Sequence, residues 1–306
     1  MKNRMIQTIA ASALLASACG SVVAQDRDFS DVEIKPVKVT ESIYMLMGSG
    51  GNIGLCVGDD GTFMIDDQFA PLTEKILAAI KEITDKPVKF LINTHWHGDH
   101  VGGNENMAGE GALLVAHENV RVRMSTEQFM NAFDRTVPPS PEAALPEITF
   151  TNSMTFHFNG DDIHVFHVKN AHTDGDAIIH FRNDNVIHTG DTFFNGMYPF
   201  IDVSTGGRIR GMINAVEQVL KIADDETKII PGHGPLSNVA ELREYRDMLT
   251  TVYQTILPMV RQGKNRGEII IAKPTAALDE KWGNGFMQPD VFVGIVYDSI
   301  TTAVME

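Results

Sequence analysis

Cysteine is scarce in this chain, which holds only Cys19 and Cys56 among its 306 residues. Cys19 lies in an N-terminal apolar segment that we expect to be removed, so one cysteine would remain in the mature chain and an internal disulfide would be excluded. Cys56 lies in the apolar, strand-like run at residues 52–57. We interpret it as a small buried hydrophobic residue rather than a nucleophile or a metal ligand.

Positive charge is also scarce. The chain has 25 Lys and Arg against 40 Asp and Glu, a formal net charge of −15. An acidic surface repels phosphate backbones, so we expect a small-molecule substrate and no nucleic acid as a partner. Nothing in the sequence specifies an oligomeric state.

Long apolar runs are missing except at the N-terminus. There, basic residues Lys2 and Arg4 precede an apolar stretch at residues 5–18 and small residues at 21–24. This pattern predicts a signal peptide over residues 1–24, cleaved after Ala24, and hence a periplasmic or secreted protein without stable membrane insertion. The alternative is lipoprotein anchoring at Cys19, because residues 16–19 resemble a lipobox with Ala at its first position.

No Pro-, Gly- or Ser-rich linker divides the remainder, so residues 25–306 are predicted to form a single domain with a C-terminal helical tail. A β-then-α pattern occurs twice, before and after about residue 148, which predicts a mixed α/β fold with stacked sheets. Helical periodicity appears at residues 71–84, 208–223, 237–257, with Ser237 as the cap, and 290–304. The Pro-rich residues 135–145 are predicted to form a surface loop, either a flap beside a pocket or a connector.

The densest chemistry lies at residues 94–100, Thr-His-Trp-His-Gly-Asp-His. An apolar, β-prone run at residues 88–93 precedes it, and Gly98 permits a sharp turn. Imidazole and carboxylate groups at a strand end can converge on one point, and they are the ligands that suit zinc and its neighbours. Asp66 and Asp67 end an earlier strand, and are interpreted either as capping carboxylates or as acids that orient a histidine ligand.

The spacing of His95, His97, Asp99 and His100 resembles the His-x-His-x-Asp-His signature of the metallo-β-lactamase superfamily. Three later signals follow in the expected order, and the resemblance covers roughly residues 37–257. They are His172 in Ala-His-Thr-Asp-Gly-Asp, Asp191 in His-Thr-Gly-Asp-Thr, and His233 in Pro-Gly-His-Gly. The resemblance implies a four-layer αββα sandwich.

The resemblance also implies a pair of zinc ions, although the ligands would also admit iron or manganese. It assigns one metal to His95, His97 and His172, the other to Asp99, His100 and His233, and a bridging role to Asp191. Two such ions would lower the pKa of a shared water so that hydroxide exists at neutral pH. Asp99 would orient that hydroxide, and Tyr198 is a candidate hydrogen-bond donor to the oxyanion. Candidate pocket residues are Trp96, the aromatic segment 193–200, Arg208 and Arg210.

The residue type at position 191 distinguishes subfamilies of the superfamily. The best-known class B β-lactamases carry Cys at that position and another subclass carries Ser, whereas glyoxalase II-like and lactonase-like members carry a bridging Asp. The Lys or Ser that many β-lactamases place shortly afterwards is absent, and Phe193, Phe194 and Asn195 stand there. We therefore expect an exported dizinc hydrolase that opens a cyclic amide or ester by a metal-bound hydroxide. Weak or promiscuous β-lactam hydrolysis is the leading activity. The alternatives are a lactonase or glyoxalase II-like thioesterase and, in another class, an iron-dependent redox enzyme of the same fold.

Overall fold

The computed structural model describes the backbone of residues 28–305 and the side chains of residues 28–302. The predicted signal peptide, residues 1–24, and the alternative lipid attachment at Cys19 therefore lie outside the described residues. Contacts divide the chain into the units Met1–Asp31 and Val32–Glu306. In the first unit, the described residues contain a turn in which the Ser30 amide donates to Asp28 Oδ1 at 2.9 Å.

The first half of Val32–Glu306 is built around one sheet. Its strands are β1 (Lys35–Lys38), β2 (Ile43–Met47), β3 (Ile53–Gly58), β4 (Gly61–Ile65), β5 (Val88–Asn93), β6 (Leu113–His117), β7 (Gln128–Met130), β8 (Arg135–Val137) and β9 (Ile148–Phe150). Its α-helices are α1 (Thr73–Ile83), α2 (Gly98–Val101), α3 (Asn104–Gly109) and α4 (Glu118–Met124), with 3-10 turns at Ala70–Leu72, Asn131–Phe133 and Glu142–Ala144. Seven of these strands form the sheet in the order β1-β2-β3-β4-β5-β6-β9, whereas β7 and β8 form a separate two-stranded sheet. The pairs β4–β5, β5–β6 and β6–β9 are parallel.

The second half forms a second sheet. Its strands, which pair in chain order, are β10 (Ser153–Phe158), β11 (Asp161–His167), β12 (Ala177–Phe181), β13 (Val186–His188), β14 (Lys228–Ile230) and β15 (Ser237–Asn238). Its helices are α5 (Ile209–Ile222), α6 (Val239–Arg261), α7 (Arg266–Ile271), α8 (Asp279–Trp282) and α9 (Pro289–Met305), with 3-10 turns at Gly190–Thr192 and Val203–Thr205. The four helices predicted from periodicity are confirmed. Asn238 rather than Ser237 caps α6, because the Asn238 side chain accepts a hydrogen bond from the Glu241 amide.

Two apolar clusters hold the layers together. Between the sheets, Phe63 of β4 and Cys56 of β3 pack with Phe181 of β12, which shows that the two sheets face one another. Against the outer face of the second sheet, Ile178 and Ile187 pack with α5, α6 and α9. On the first sheet, α3 contacts β5 and β6. The result is the expected mixed α/β fold, an αββα sandwich.

Cys56 is fully buried, as expected, and burial raises the pKa of its thiol to about 12. The prediction of a plain loop over residues 135–145 is wrong in part, because β8 pairs with β7 to form a hairpin. In residues 28–305, we find no helix whose length and apolar character would let it cross a bilayer.

Phe63 should be important for the packing of the two sheets. Its ring contacts those of Phe156, Phe158 and Phe181 at centroid distances of 5.0, 6.3 and 6.3 Å. We expect Phe63→Ala to lower the free energy of unfolding by about 3–5 kcal/mol, since it removes a buried ring and leaves a cavity. Urea unfolding of the purified protein measures this change. Ile271→Ala, at a side chain that is 82% exposed, is the control and should change stability by less than about 0.5 kcal/mol. Equal losses of unfolding free energy in the two variants would contradict the role of Phe63 in the packing between the sheets.

Candidate metal centre

The first ligand candidates follow the end of β5, as predicted. His95 and His97 lie on the short loop after Asn93, and Asp99 and His100 lie in the first turn of α2. The Asn93 side chain donates to the His100 carbonyl oxygen at 3.3 Å and thereby ties the loop to the strand end.

Three imidazoles form a first triad. His97 Nδ1 lies 3.1 Å from His95 Nε2 and 2.8 Å from His172 Nε2. All three rings are buried, and they meet nearly at right angles with centroids 4.7–4.8 Å apart. Three nitrogen atoms therefore face one point.

A second triad lies beside the first. Asp99 Oδ2 is 3.8 Å from His100 Nε2 and 3.4 Å from His233 Nε2. His100 is fully buried, whereas the Asp99 and His233 side chains are 28% and 23% exposed. The centre therefore opens to solvent on the side of Asp99 and His233.

Asp191 lies between the two triads. Its Oδ1 is 3.1 Å from His100 Nε2, and its Oδ2 is 3.4 Å from His233 Nε2 and 3.5 Å from His172 Nε2. The carboxylate is placed by the 3-10 turn Gly190–Thr192 directly after β13. A Cβ atom at Gly232 would lie 2.1 Å from Asp191 Oδ1, so this close approach requires glycine.

The seven predicted ligands are thus brought together, and two atoms among them test whether cations fit. His100 Nε2 and Asp191 Oδ1 are buried, and neither makes a hydrogen bond of acceptable geometry within the described residues. Such unpaired polar atoms are costly in a protein interior. A cation between them would satisfy both, and the imidazole and carboxylate donors are those that zinc prefers.

The pKa shifts of His95, His172 and Asp191 leave lone pairs and a negative charge that a cation can use. Burial lowers the pKa of His95 well below its usual value and that of His172 to about 4, so both rings are neutral at neutral pH. Burial alone would raise the pKa of Asp191, but His233 and His100 hold it well below its usual range. The centre therefore combines two neutral imidazoles with an ionised carboxylate. Burial alone would lower the pKa of His100 and His233, but Asp191 raises both.

Hydrogen bonds on the far side of each ring hold the first triad. His97 Nε2 lies 3.1 Å from Asp202 Oδ2, and His172 Nδ1 donates to the Phe200 carbonyl oxygen at 2.8 Å. The Thr94 hydroxyl lies 3.0 Å from His95 Nδ1. The sequence reasoning missed Asp202, which follows His97 by 105 residues in the chain. Its local signal, an Asp that caps the turn Val203–Thr205, does not reveal the histidine partner.

The two alternatives for Asp66 and Asp67 can be separated. Asp66 accepts hydrogen bonds from the amide and hydroxyl of Thr94 at 2.8 and 2.7 Å, and its Oδ2 lies 2.7 Å from His100 Nδ1. Asp66 therefore orients a ligand candidate. Asp67 accepts from the Gly103 amide at 2.9 Å and supports the backbone after α2.

Tyr198 is not brought into the cluster, and we do not assign it the oxyanion role expected from the sequence. It is fully buried, its hydroxyl donates to Asp279 Oδ1 at 2.9 Å, and its ring stacks on Phe292. Burial and Asp279 raise the pKa of Tyr198 above its usual value. The residue instead attaches the loop after Asp191 to the C-terminal helices.

The other pocket candidates differ in their placement. Trp96 is 4% exposed and packs in the core, and Arg210 lies over the Tyr253 ring. The Arg208 guanidinium donates to the carbonyl oxygens of Val203 and Gly207. These placements do not support the two arginines as substrate anchors.

The aromatic segment 193–200 lines the centre more closely. Phe194 stacks on His233 with ring centroids 5.1 Å apart. Phe200 lies 5.6 Å from the rings of both His97 and His172.

Comparisons with known proteins agree with this geometry. Residues 46–234 match the metallo-beta-lactamase superfamily. The hydroxyacylglutathione hydrolase of Pelagibacter ubique is 26% identical over 58% of this chain and 68% of its own length. The metallo-beta-lactamase type 2 of Bacteroides fragilis is 19% identical over 59% of this chain and 67% of its own length.

Solved structures share the fold. A metallo-beta-lactamase from Pontibacter korlensis superposes with a TM-score of 0.60 at 18% identity, over 71% of this chain and 99% of the other. The superfamily match covers more than half of the chain and contains all seven ligand candidates. Members of this family are hydrolases, and most depend on zinc. The chain therefore belongs to the metallo-β-lactamase superfamily of hydrolases.

Proposed function

We propose that this chain is a dinuclear zinc hydrolase of small molecules. In this proposal one ion is held by His95, His97 and His172, the other by Asp99, His100 and His233, and both by Asp191. The observation that carries the proposal is the position of Asp191, whose Oδ1 lies 3.1 Å from His100 Nε2 and whose Oδ2 lies 3.5 Å from His172 Nε2. A carboxylate that contacts both triads fits a pair of ions better than a single one.

The residues around the ions have distinct tasks. When bound, a pair of divalent cations supplies Lewis acidity and lowers the pKa of water. Asp99 lies at the open side of the centre, where its carboxylate can accept a hydrogen bond from the attacking water and carry a proton to the leaving group. Asp202 and the Phe200 carbonyl fix the orientation of His97 and His172, so that the centre needs little rearrangement during the reaction.

We propose a cyclic amide or ester as the substrate, with β-lactams as the first class. The likeness to the Bacteroides fragilis enzyme and the expected export support this choice. Thioester hydrolysis is the second candidate. It is favoured by Asp191, a carboxylate where the best-known β-lactamases carry Cys, and by the likeness to a hydroxyacylglutathione hydrolase.

A substrate panel tests the reaction. We expect zinc-replete protein to contain about two ions per chain and to hydrolyse a chromogenic cephalosporin, a homoserine lactone or a thioester, since all need the same attack on a carbonyl. Chelation should abolish the activity, and added zinc should restore it. Metal content is measured on the same samples by elemental analysis. Two bound zinc ions with no turnover of any carbonyl substrate would contradict the proposal.

Asp66 provides a test of the ligand assignment that does not need turnover. We expect Asp66→Asn to weaken zinc binding by about 10- to 100-fold, because the amide no longer accepts a charge-assisted hydrogen bond from His100 Nδ1. Competition with a chromogenic chelator measures the affinity. The matched control is Asp162→Asn, which alters an exposed Asp–His pair in which Asp162 Oδ1 lies 2.6 Å from His157 Nδ1. Similar losses in the two variants would rule out the assignment.

We also propose export to the periplasm or beyond, supported by the basic and apolar pattern of residues 1–24. Expression of the full chain in a Gram-negative host should yield a periplasmic protein that begins at Gln25. Fractionation and intact mass measurement check this. A lipid-modified Cys19 in the membrane fraction would replace signal cleavage by lipoprotein anchoring, and an uncleaved cytoplasmic chain would refute export.

A further inference from the structure

A row of three phenylalanines extends from the first triad to the protein surface. We call Phe200, Phe133 and Phe286 the phenylalanine row. The Phe133 ring lies 4.8 Å from that of Phe200 and 6.2 Å from that of Phe286. Phe200 is 5% exposed, Phe133 is 42% exposed and Phe286 is 64% exposed. The row is therefore buried next to the imidazoles and becomes more accessible with distance from them.

Three separate parts of the chain build this row. Phe200 belongs to the loop after Asp191, and Phe133 ends the 3-10 turn Asn131–Phe133 at the tip of the β7–β8 hairpin. Asp134 closes that tip with a left-handed backbone, φ 47°. Phe286 lies in the turn between α8 and α9, beyond the residues 46–234 that match the superfamily. The outer end of the row is therefore supplied by the C-terminal part of the chain, outside the residues that match the superfamily.

The tail turn is fixed to the loop that carries Phe200. The Tyr198 amide donates to the Trp282 carbonyl oxygen at 2.8 Å, and the Tyr198 hydroxyl donates to Asp279. Gly285 packs so closely on Met197 that an added Cβ would lie 2.6 Å from the Met197 Cβ. These contacts hold Phe286 in place although its ring is largely exposed.

Exposed phenylalanines in adjoining elements are unfavourable in water, and contiguous exposed apolar groups commonly mark binding sites. Here they continue directly into the ring contacts between Phe200 and the imidazoles of His97 and His172. We propose that the phenylalanine row binds an apolar acyl or aryl group of the substrate while the scissile carbonyl lies at the metal centre. This inference rests on the proposed hydrolase function and specifies its substrate class: carbonyl compounds with an apolar side chain.

Binding without turnover tests the row first. The probes are straight-chain carboxylates from butanoate to decanoate, titrated calorimetrically into zinc-loaded protein. We expect affinity to rise by about two- to fourfold per added methylene, since each methylene leaves water. Phe133→Ala and Phe286→Ala should flatten this dependence, and Phe133→Leu and Phe286→Leu should keep most of it.

The matched control is Phe129→Ala. Phe129 lies on β7 of the same hairpin and is 49% exposed, and within residues 28–302 no ring contact joins it to the row. This variant should retain the wild-type dependence on chain length. A dependence that is absent from the wild-type protein, or unchanged in both row variants, would overturn the proposal. A shift from dimer to monomer in the row variants during sedimentation would overturn it too, because the row would then be a contact between copies of the chain.

Turnover supplies the second readout. For matched thioesters with short and long acyl groups, Phe286→Ala should raise KM for the long substrate about tenfold more than KM for the short substrate. Equal effects on both substrates would count against the row. If no protein turns over any carbonyl substrate but the carboxylate series still depends on Phe133 and Phe286, the hydrolase proposal fails and the row remains an apolar binding site.

Discussion

Burial of Asp191 among imidazoles is the interaction on which the centre depends. A carboxylate removed from water is unstable unless positive charge or hydrogen-bond donors surround it. Asp191 is ionised, yet its Oδ1 has no satisfactory hydrogen bond within the described residues, and neither has His100 Nε2. These two atoms, together with the neighbouring ligand candidates, form a cluster that could hold a metal ion. Asp66, Asp202 and the Phe200 carbonyl each contact the outer nitrogen of one imidazole ring. The inner nitrogens of these rings are therefore held in defined positions at the centre.

The architecture explains how distant segments meet at this point. β5 of the first sheet and β13 and β14 of the second end at the same edge of the sandwich, and their following loops carry His95, Asp191 and His233. The two sheets are held face to face by an apolar cluster that includes Phe63 and Phe181. The positions of the ligand candidates therefore depend on the packing between the sheets, although none of the aromatic residues in that cluster is a ligand candidate.

Sequence reasoning reached the centre only where the signal is local or belongs to the family pattern. The spacing from His95 to His100 is informative by itself, because it puts four donors after a buried strand. His172, Asp191 and His233 were identified through the resemblance to the superfamily. Asp202 has no such signal, since its partner His97 is distant in the chain. Tyr198 is a different case. Its position soon after Asp191 suggested chemistry, but its hydroxyl donates to Asp279 in the C-terminal helices, whose placement no local pattern reveals.

The C-terminal tail is attached to the loop that follows Asp191. Asp279, Trp282 and Gly285 contact Met197 and Tyr198, close in the chain to the segment that packs on the imidazoles. All of the ligand motifs, by contrast, precede the tail. The tail therefore positions the segment beside the imidazoles although it supplies none of the seven ligand candidates, and much of it is itself buried in the apolar core.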